Sequence, residues 1–207
     1  MTNYFIIALI LFLALNVKGQ FSGKVIYHDS YKSKNPAISS SDFEKFVGTE
    51  RVLFMQDSFY KNVHTGEFKS IMLYRGDENK LYRFNEGADT IFWMDALRDT
   101  LTKVSESKVE RSDEIILGLK CKRIKIVTQL GITTYYFSDS YRIDPRNFKN
   151  HHLESWDFYA SRARAIPLKI VFESEEMDFV STAIKVEPIR LNKNIFDVPP
   201  GYLKKLF

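Results

Sequence analysis

Apolar and polar residues alternate with a period of two along much of the chain, the spacing of strands that bury one face. Phe21 to His28 predicts a first strand, and the polar stretch Ser30 to Ser40, which contains Pro36, predicts a loop. A short helix is expected over Asp42 to Val47: Ser41 with Glu44 forms a capping box, Phe43, Phe46 and Val47 supply an apolar side, and Gly48 provides a stop. Strands then follow at Arg51 to Gln56, Ser58 to His64, Phe68 to Arg75 and Lys80 to Asn85, divided by Thr65-Gly66 and by Gly76 to Asn79. Connections this short make neighbouring strands antiparallel.

The second half shows which side of each strand is buried. From Lys122 to Val127 the isoleucines Ile124 and Ile126 share one face and basic residues the other. Val180, Thr182, Ile184 and Val186 are expected to face inward, with Ser181, Lys185 and Glu187 outward. Gly131 turns the chain into the aromatic strand Thr133 to Ser138, Asp144-Pro145 can start a helical turn through Phe148, and Pro167 to Glu173 supplies another strand ending at the acidic turn Ser174 to Asp178. The sum is about ten strands and one or two short helices. The predicted class is mostly β (α+β), a strongly curved antiparallel sheet covered on its concave side.

Composition narrows the picture. The chain has 207 residues, with 17 Phe and 11 Tyr against 9 Gly and 6 Pro, so it has mass for one substantial core and few residues for linkers. A net charge of +4 is far below the dense basic stripe that phosphate backbones select, which excludes nucleic acid as the expected partner. Tyr4 to Leu15 is uncharged and apolar, and as a helix it would rise roughly 18 Å, too short to cross a bilayer. Val17 and Gly19 are the small residues a signal peptidase accepts, so 1–19 reads as a signal peptide and 20–207 as a single exported domain with no membrane span after cleavage. No Lys or Arg precedes the apolar run. With one cysteine, Cys121, the fold must hold by packing without an internal disulfide. A periplasmic or secreted location follows.

Four segments then carry a resemblance: Ile115 to Lys122 with its Gly-x-x-Cys, Tyr135 to Asp139, Ala165 to Ile170, and Asn194 to Tyr202 with Phe196, Pro199, Gly201 and Tyr202. In order and spacing they resemble the exported proteins grouped around the LolA-like lipoprotein-carrier superfamily, over most of Phe21 to Leu203. The resemblance implies an incomplete β-barrel whose concavity, lidded by helices, holds an acyl chain. Carriers close that cavity with helices, whereas this chain signals one, Asp42 to Val47. The expectation is therefore a lipidic or other apolar ligand, or a lipoprotein acyl chain, rather than lipoprotein shuttling.

Catalytic chemistry finds little support in the residues. Cys121 lies between Lys120 and Lys122 without a Gly-rich elbow or an orienting third group, and reads as a packed small residue. His151 and His152 read as a surface loop pair, since adjacent side chains in extended backbone face opposite ways and share a metal poorly. Walker, Gly-x-Ser-x-Gly and His-Glu-x-x-His motifs do not occur, and no cofactor or metal is implied. The candidate ligand contacts are aromatic: Tyr74, Tyr82, Phe92, Trp93 and Tyr136, with Trp93 expected to border the concave interior. The reading is a non-enzymatic protein of a Gram-negative envelope binding a lipidic ligand in a half-barrel. The alternative is an interaction module that docks another envelope protein through a sheet edge or an apolar patch.

Overall fold

The computed structural model describes residues 19–98 and 103–207. The expected signal peptide falls outside the described residues except at its last position, Gly19. Twelve strands form one sheet: β1 (Gly23–Ser33), β2 (Glu50–Gln56), β3 (Phe59–His64), β4 (Ser70–Arg75), β5 (Lys80–Asn85), β6 (Thr90–Asp95), β7 (Glu106–Ile116), β8 (Leu119–Thr128), β9 (Gly131–Arg142), β10 (Ala165–Glu173), β11 (Met177–Pro188) and β12 (Leu203–Leu206). The order across the sheet is β12-β6-β5-β4-β3-β2-β1-β11-β10-β9-β8-β7. Short hairpins carry the chain outward from β2 to β6, and β7 to β11 return it to β1 on the other side. Every neighbouring pair is antiparallel except β12 with β6, which is parallel. The expected class holds, and the sheet stays open, with β7 and β12 as its unjoined ends.

Among the described residues, two helices accompany the sheet, α1 (Ser40–Phe46) and α2 (Trp156–Ala163). The capping box of α1 sits two residues earlier than expected: Ser39 accepts from the Asp42 backbone N–H, and Asp42 accepts from that of Ser39. The predicted loop from Ser30 also yields to β1, whose last four residues pair with Met177 to Val180. Phe43 of α1 stacks on Tyr31 at a ring separation of 5.6 Å. The turn expected at Asp144-Pro145 is present as a 3-10 turn, with the Asp144 side chain accepting from the Arg146 N–H.

Both faces of the sheet are covered near β3–β6. On the inner face, the segment 145–163 packs Phe148, Leu153 and Ala160 against Leu53, Met55, Tyr60, Tyr74 and Leu81. On the outer face, Leu191 and Phe196 cover Leu73, Tyr82, Phe84 and Ile91. Gln56 fastens this outer strap, its Oε1 accepting from the Leu191 N–H at 2.8 Å and the Ser22 hydroxyl at 2.9 Å.

One expected face is reversed. Register shifts along β1 from Ile26 opposite Lys185 to Tyr27 opposite Ala183, leaving Ile184 as the extra residue of a bulge. Beyond it Ser181 and Ala183 turn inward, buried, while Ile184 is 52% exposed. Ser181 therefore belongs to the interior, where it meets Asp29 of β1 across the ladder.

Candidate functional site

A partly open cavity of about 400 Å³ lies between the inner face and the start of α2. Leu53 and Met55 of β2, Met72 of β4, Ile126 of β8, and Ile170 and Phe172 of β10 give it apolar walls, and Trp156 faces it from the cover. Phe179 lines it beside Tyr31, which joins this wall to α1. Leu130 and Glu154, both exposed, stand among the lining residues.

Alternation puts Arg51, Leu53 and Met55 on the same side of β2, so a cation occupies a position the pattern reserves for an apolar residue. Registers across β1, β2 and β3 set Tyr27, Arg51 and His64 in one row, with Asn62 opposite Leu53. Arg51 lies over the Tyr27 ring, 4.1 Å from its centroid, and donates to Asn62 Oδ1 at 2.7 Å and Ser181 Oγ at 2.8 Å. The Tyr27 hydroxyl in turn donates to the Pro167 carbonyl at 2.7 Å. Arg51 is thus held from three sides, its side chain 9% exposed.

Behind it sits Asp29, fully buried. Its Oδ2 is 3.6 Å from Arg51 Nε and 3.9 Å from His64 Nδ1, and the Ser181 hydroxyl lies beside the carboxylate. Burial pushes the Asp29 carboxyl above the usual carboxylate range, against the Arg51 guanidinium and the Ser181 hydroxyl, which pull it down. Burial and then the Arg51 charge drive His64 the other way, to about 4. Burial likewise raises the Tyr27 phenol.

The five aromatics singled out in the sequence stand apart from this cavity. Tyr74 is on the inner face but buried in the cover, its ring 4.1 Å from that of His151. Tyr82 belongs to the outer cluster and donates to Glu78, and Trp93 packs on that same outer cluster beneath Lys80. The expectation that Trp93 borders the concave interior is therefore corrected: the pleat of β6 sends Ile91 and Trp93 outward under the strap and Met94 inward. Phe92 is 40% exposed against Phe207, and Tyr136 is half-buried below Lys169.

His151 corrects the reading of a surface histidine pair. It is buried between Tyr60 and Tyr74, with Nε2 2.7 Å from the Tyr60 hydroxyl, while His152 is partly exposed and 3.0 Å from Asp157. Cys121 is buried, its thiol 3.5 Å from the Leu119 carbonyl and raised by burial. Sequence reasoning missed Arg51, Asn62 and His64 because each ends or interrupts a strand in an ordinary way. The available signal was the alternation itself, which puts Arg51 in line with Leu53 and Met55.

No family model matches the sequence. No curated protein matches it either. Among solved structures, an uncharacterised conserved protein from Thermus thermophilus aligns over 97% of this chain and 99% of its own, at 8% identity and a TM-score of 0.53, a likeness of fold. A LolA superfamily protein from Nitrosomonas europaea aligns over 86% of this chain and 91% of its own, at 10% identity and a TM-score of 0.40. The lipoprotein LppX of Mycobacterium tuberculosis aligns over 92% and 100%, at 12% identity and a TM-score of 0.38. The first of these likenesses supports the fold alone: an open, curved sheet with helices against it.

Proposed function

We propose that this chain is an exported, non-enzymatic binding protein that holds a lipidic or other apolar ligand between the inner face and the cover. The observation that carries this reading is the cavity of about 400 Å³, walled by Leu53, Met55, Met72, Ile126, Ile170 and Trp156. Its size falls within the range of small-molecule pockets, roughly 300–1,000 Å³, and the mostly apolar lining with a few converging polar groups is their usual composition. Export rests on the apolar run Tyr4 to Leu15 and the Val17/Gly19 pair. No helix among the described residues is long and apolar enough to cross a membrane. A docking module would need its inner face filled and its apolar surface outside, so the cavity favours the binding reading over that alternative.

The test uses the two tryptophans, which lie on opposite faces. In a Trp93→Phe background, Trp156 reports on the cavity alone. Titrating delipidated protein with cis-parinaric acid should shift Trp156 emission saturably, and palmitate should displace the probe. Ile170→Trp fills the same space and, read by isothermal titration instead of tryptophan emission, should abolish uptake while leaving the far-ultraviolet circular dichroism spectrum unchanged. Absence of saturable binding by the unsubstituted, delipidated protein would defeat the proposal.

A further inference from the structure

Among the residues that line the cavity, those with a full formal charge at neutral pH are Arg51 on the sheet and Glu154 on the cover. They differ in setting. Glu154 is largely exposed and pairs with Arg83 at 3.0 Å. Arg51 is buried, its charge balanced by one carboxylate at 3.6 Å, and its other neighbours hold it in place: a ring face, an amide oxygen and a hydroxyl. The hydrogen bonds to Asn62 and Ser181 use two of the five N–H groups of a guanidinium, and Nε points to Asp29 without closing a bond of good length.

A buried cation is expensive, and replacing such an ion by an apolar residue of similar volume is often neutral or stabilising. Its place beside Leu53 and Met55 therefore calls for a reason beyond folding. The polar residues are also grouped. Arg51, Asn62 and His64 reach the cavity from the adjoining strands β2 and β3, and the apolar side chains Leu53, Met55, Met72, Ile126, Ile170 and Phe172 line it from β2, β4, β8 and β10. The buried cation and its amide and imidazole neighbours thus share one part of a wall that is otherwise largely aliphatic and aromatic, with Thr128 and Thr133 among it, a division suited to an amphiphile.

We infer that the ligand is an acyl-chain amphiphile with an anionic oxygen headgroup, carboxylate or phosphate, which accepts hydrogen bonds from Arg51 and Asn62 while its chain lies along Met55, Met72, Ile126 and Ile170. This rests on the binding reading above and adds the headgroup. Asp29 Oδ2 stays 3.6 Å from Arg51 Nε without closing a hydrogen bond, which leaves guanidinium N–H groups for the headgroup. His64, held neutral near and above pH 7, adds a hydrogen-bonding imidazole without a second charge.

Isothermal titration of the delipidated protein with palmitate, cetyl phosphate, methyl palmitate and cetyl alcohol tests the inference. At least one of the two anions should bind about tenfold or more tightly than the alcohol or the ester, the factor expected of one charge-assisted hydrogen bond. The tighter anion distinguishes carboxylate from phosphate. In Arg51→Gln the ratio of anion to alcohol affinity should fall to about one. Because that variant leaves Asp29 alone in the interior, Asp29→Asn with Arg51→Gln removes both charges while keeping size and hydrogen bonding, and should show the same ratio. Equal, saturable binding of all four compounds by the unsubstituted protein would overturn the headgroup and leave the binding reading standing. Failure of all four to bind would remove both.

Discussion

At His64 two effects act in the same direction. Burial and the nearby Arg51 guanidinium both favour the neutral imidazole, moving its pKa from 6.5 to about 4. A folded-state pKa below the unfolded value means stability that is complete above about pH 6.5 and is lost as pH falls through about 4, with a full span of about 3 kcal/mol. Asp29, raised by burial, works oppositely: its contribution is complete in acid and is lost as pH rises through its folded-state pKa. In denaturant titrations from pH 7 to pH 4, His64→Gln should lose less stability than the unsubstituted protein. An equal loss in both would mean that His64 is not the group responsible. None of this was visible in the sequence, where His64 is one of four histidines, because its pKa depends on a register that sets it beside Arg51 and near Asp29.

The elements differ in how plainly the chain announces them. Lys80 to Asn85 is read to the residue, since turn residues bound it at both ends. The first helix is read but displaced, because Ser39-x-x-Asp42 and Ser41-x-x-Glu44 both satisfy the capping rule, and the choice between them coincides with the stacking of Phe43 on Tyr31. No residue of α1 is buried, so its stability is local. Ser39→Ala should weaken it by about 1 kcal/mol. Hydrogen exchange over residues 40–46 should accelerate while the melting temperature stays nearly unchanged, and a large drop in melting temperature would contradict this. The second helix goes unread although Trp156, Tyr159, Ala160 and Ala163 follow helical spacing. Its ends lack the usual signals: Ser155 makes no side-chain cap, and Arg164 rather than glycine takes the left-handed position. β7 is missed for a different reason, since its half-buried positions are taken by Glu110, Ser112 and Glu114, so burial alternates there without an apolar alternation in the sequence.

For the molecule as a whole, the consecutive apolar residues Ile71, Met72 and Leu73 announce a strand covered on both faces, and the structure supplies a cover for each. Which cover lies over which face was not legible, because it depends on where the strap 189–202 crosses. The aromatic stretch chosen from sequence spans both faces, whereas the cavity draws on β1–β4 and β8–β11. The outer cluster depends on the strap for its closure: Phe196 is 2% exposed, and its ring lies 5.6 Å from that of Phe59. Phe196→Ala should destabilise the fold by about 3–5 kcal/mol, read by urea denaturation. Palmitate uptake by the molecules that remain folded should persist, since the lost contacts lie across the sheet from the cavity. Loss of uptake without loss of stability would place the site on the outer face.

An open sheet has two end strands that could pair with another copy of the chain, and both are guarded here. β7 carries Glu106, Lys108, Glu110 and Arg111 and breaks register before Ile115. β12 has only four residues, among them Lys204 and Lys205. Charge, irregularity and shortness are the means by which strand edges avoid recruiting further strands. The consequence is colloidal: the molecule can leave its sheet unclosed around a cavity of about 400 Å³ without offering a template for fibre growth.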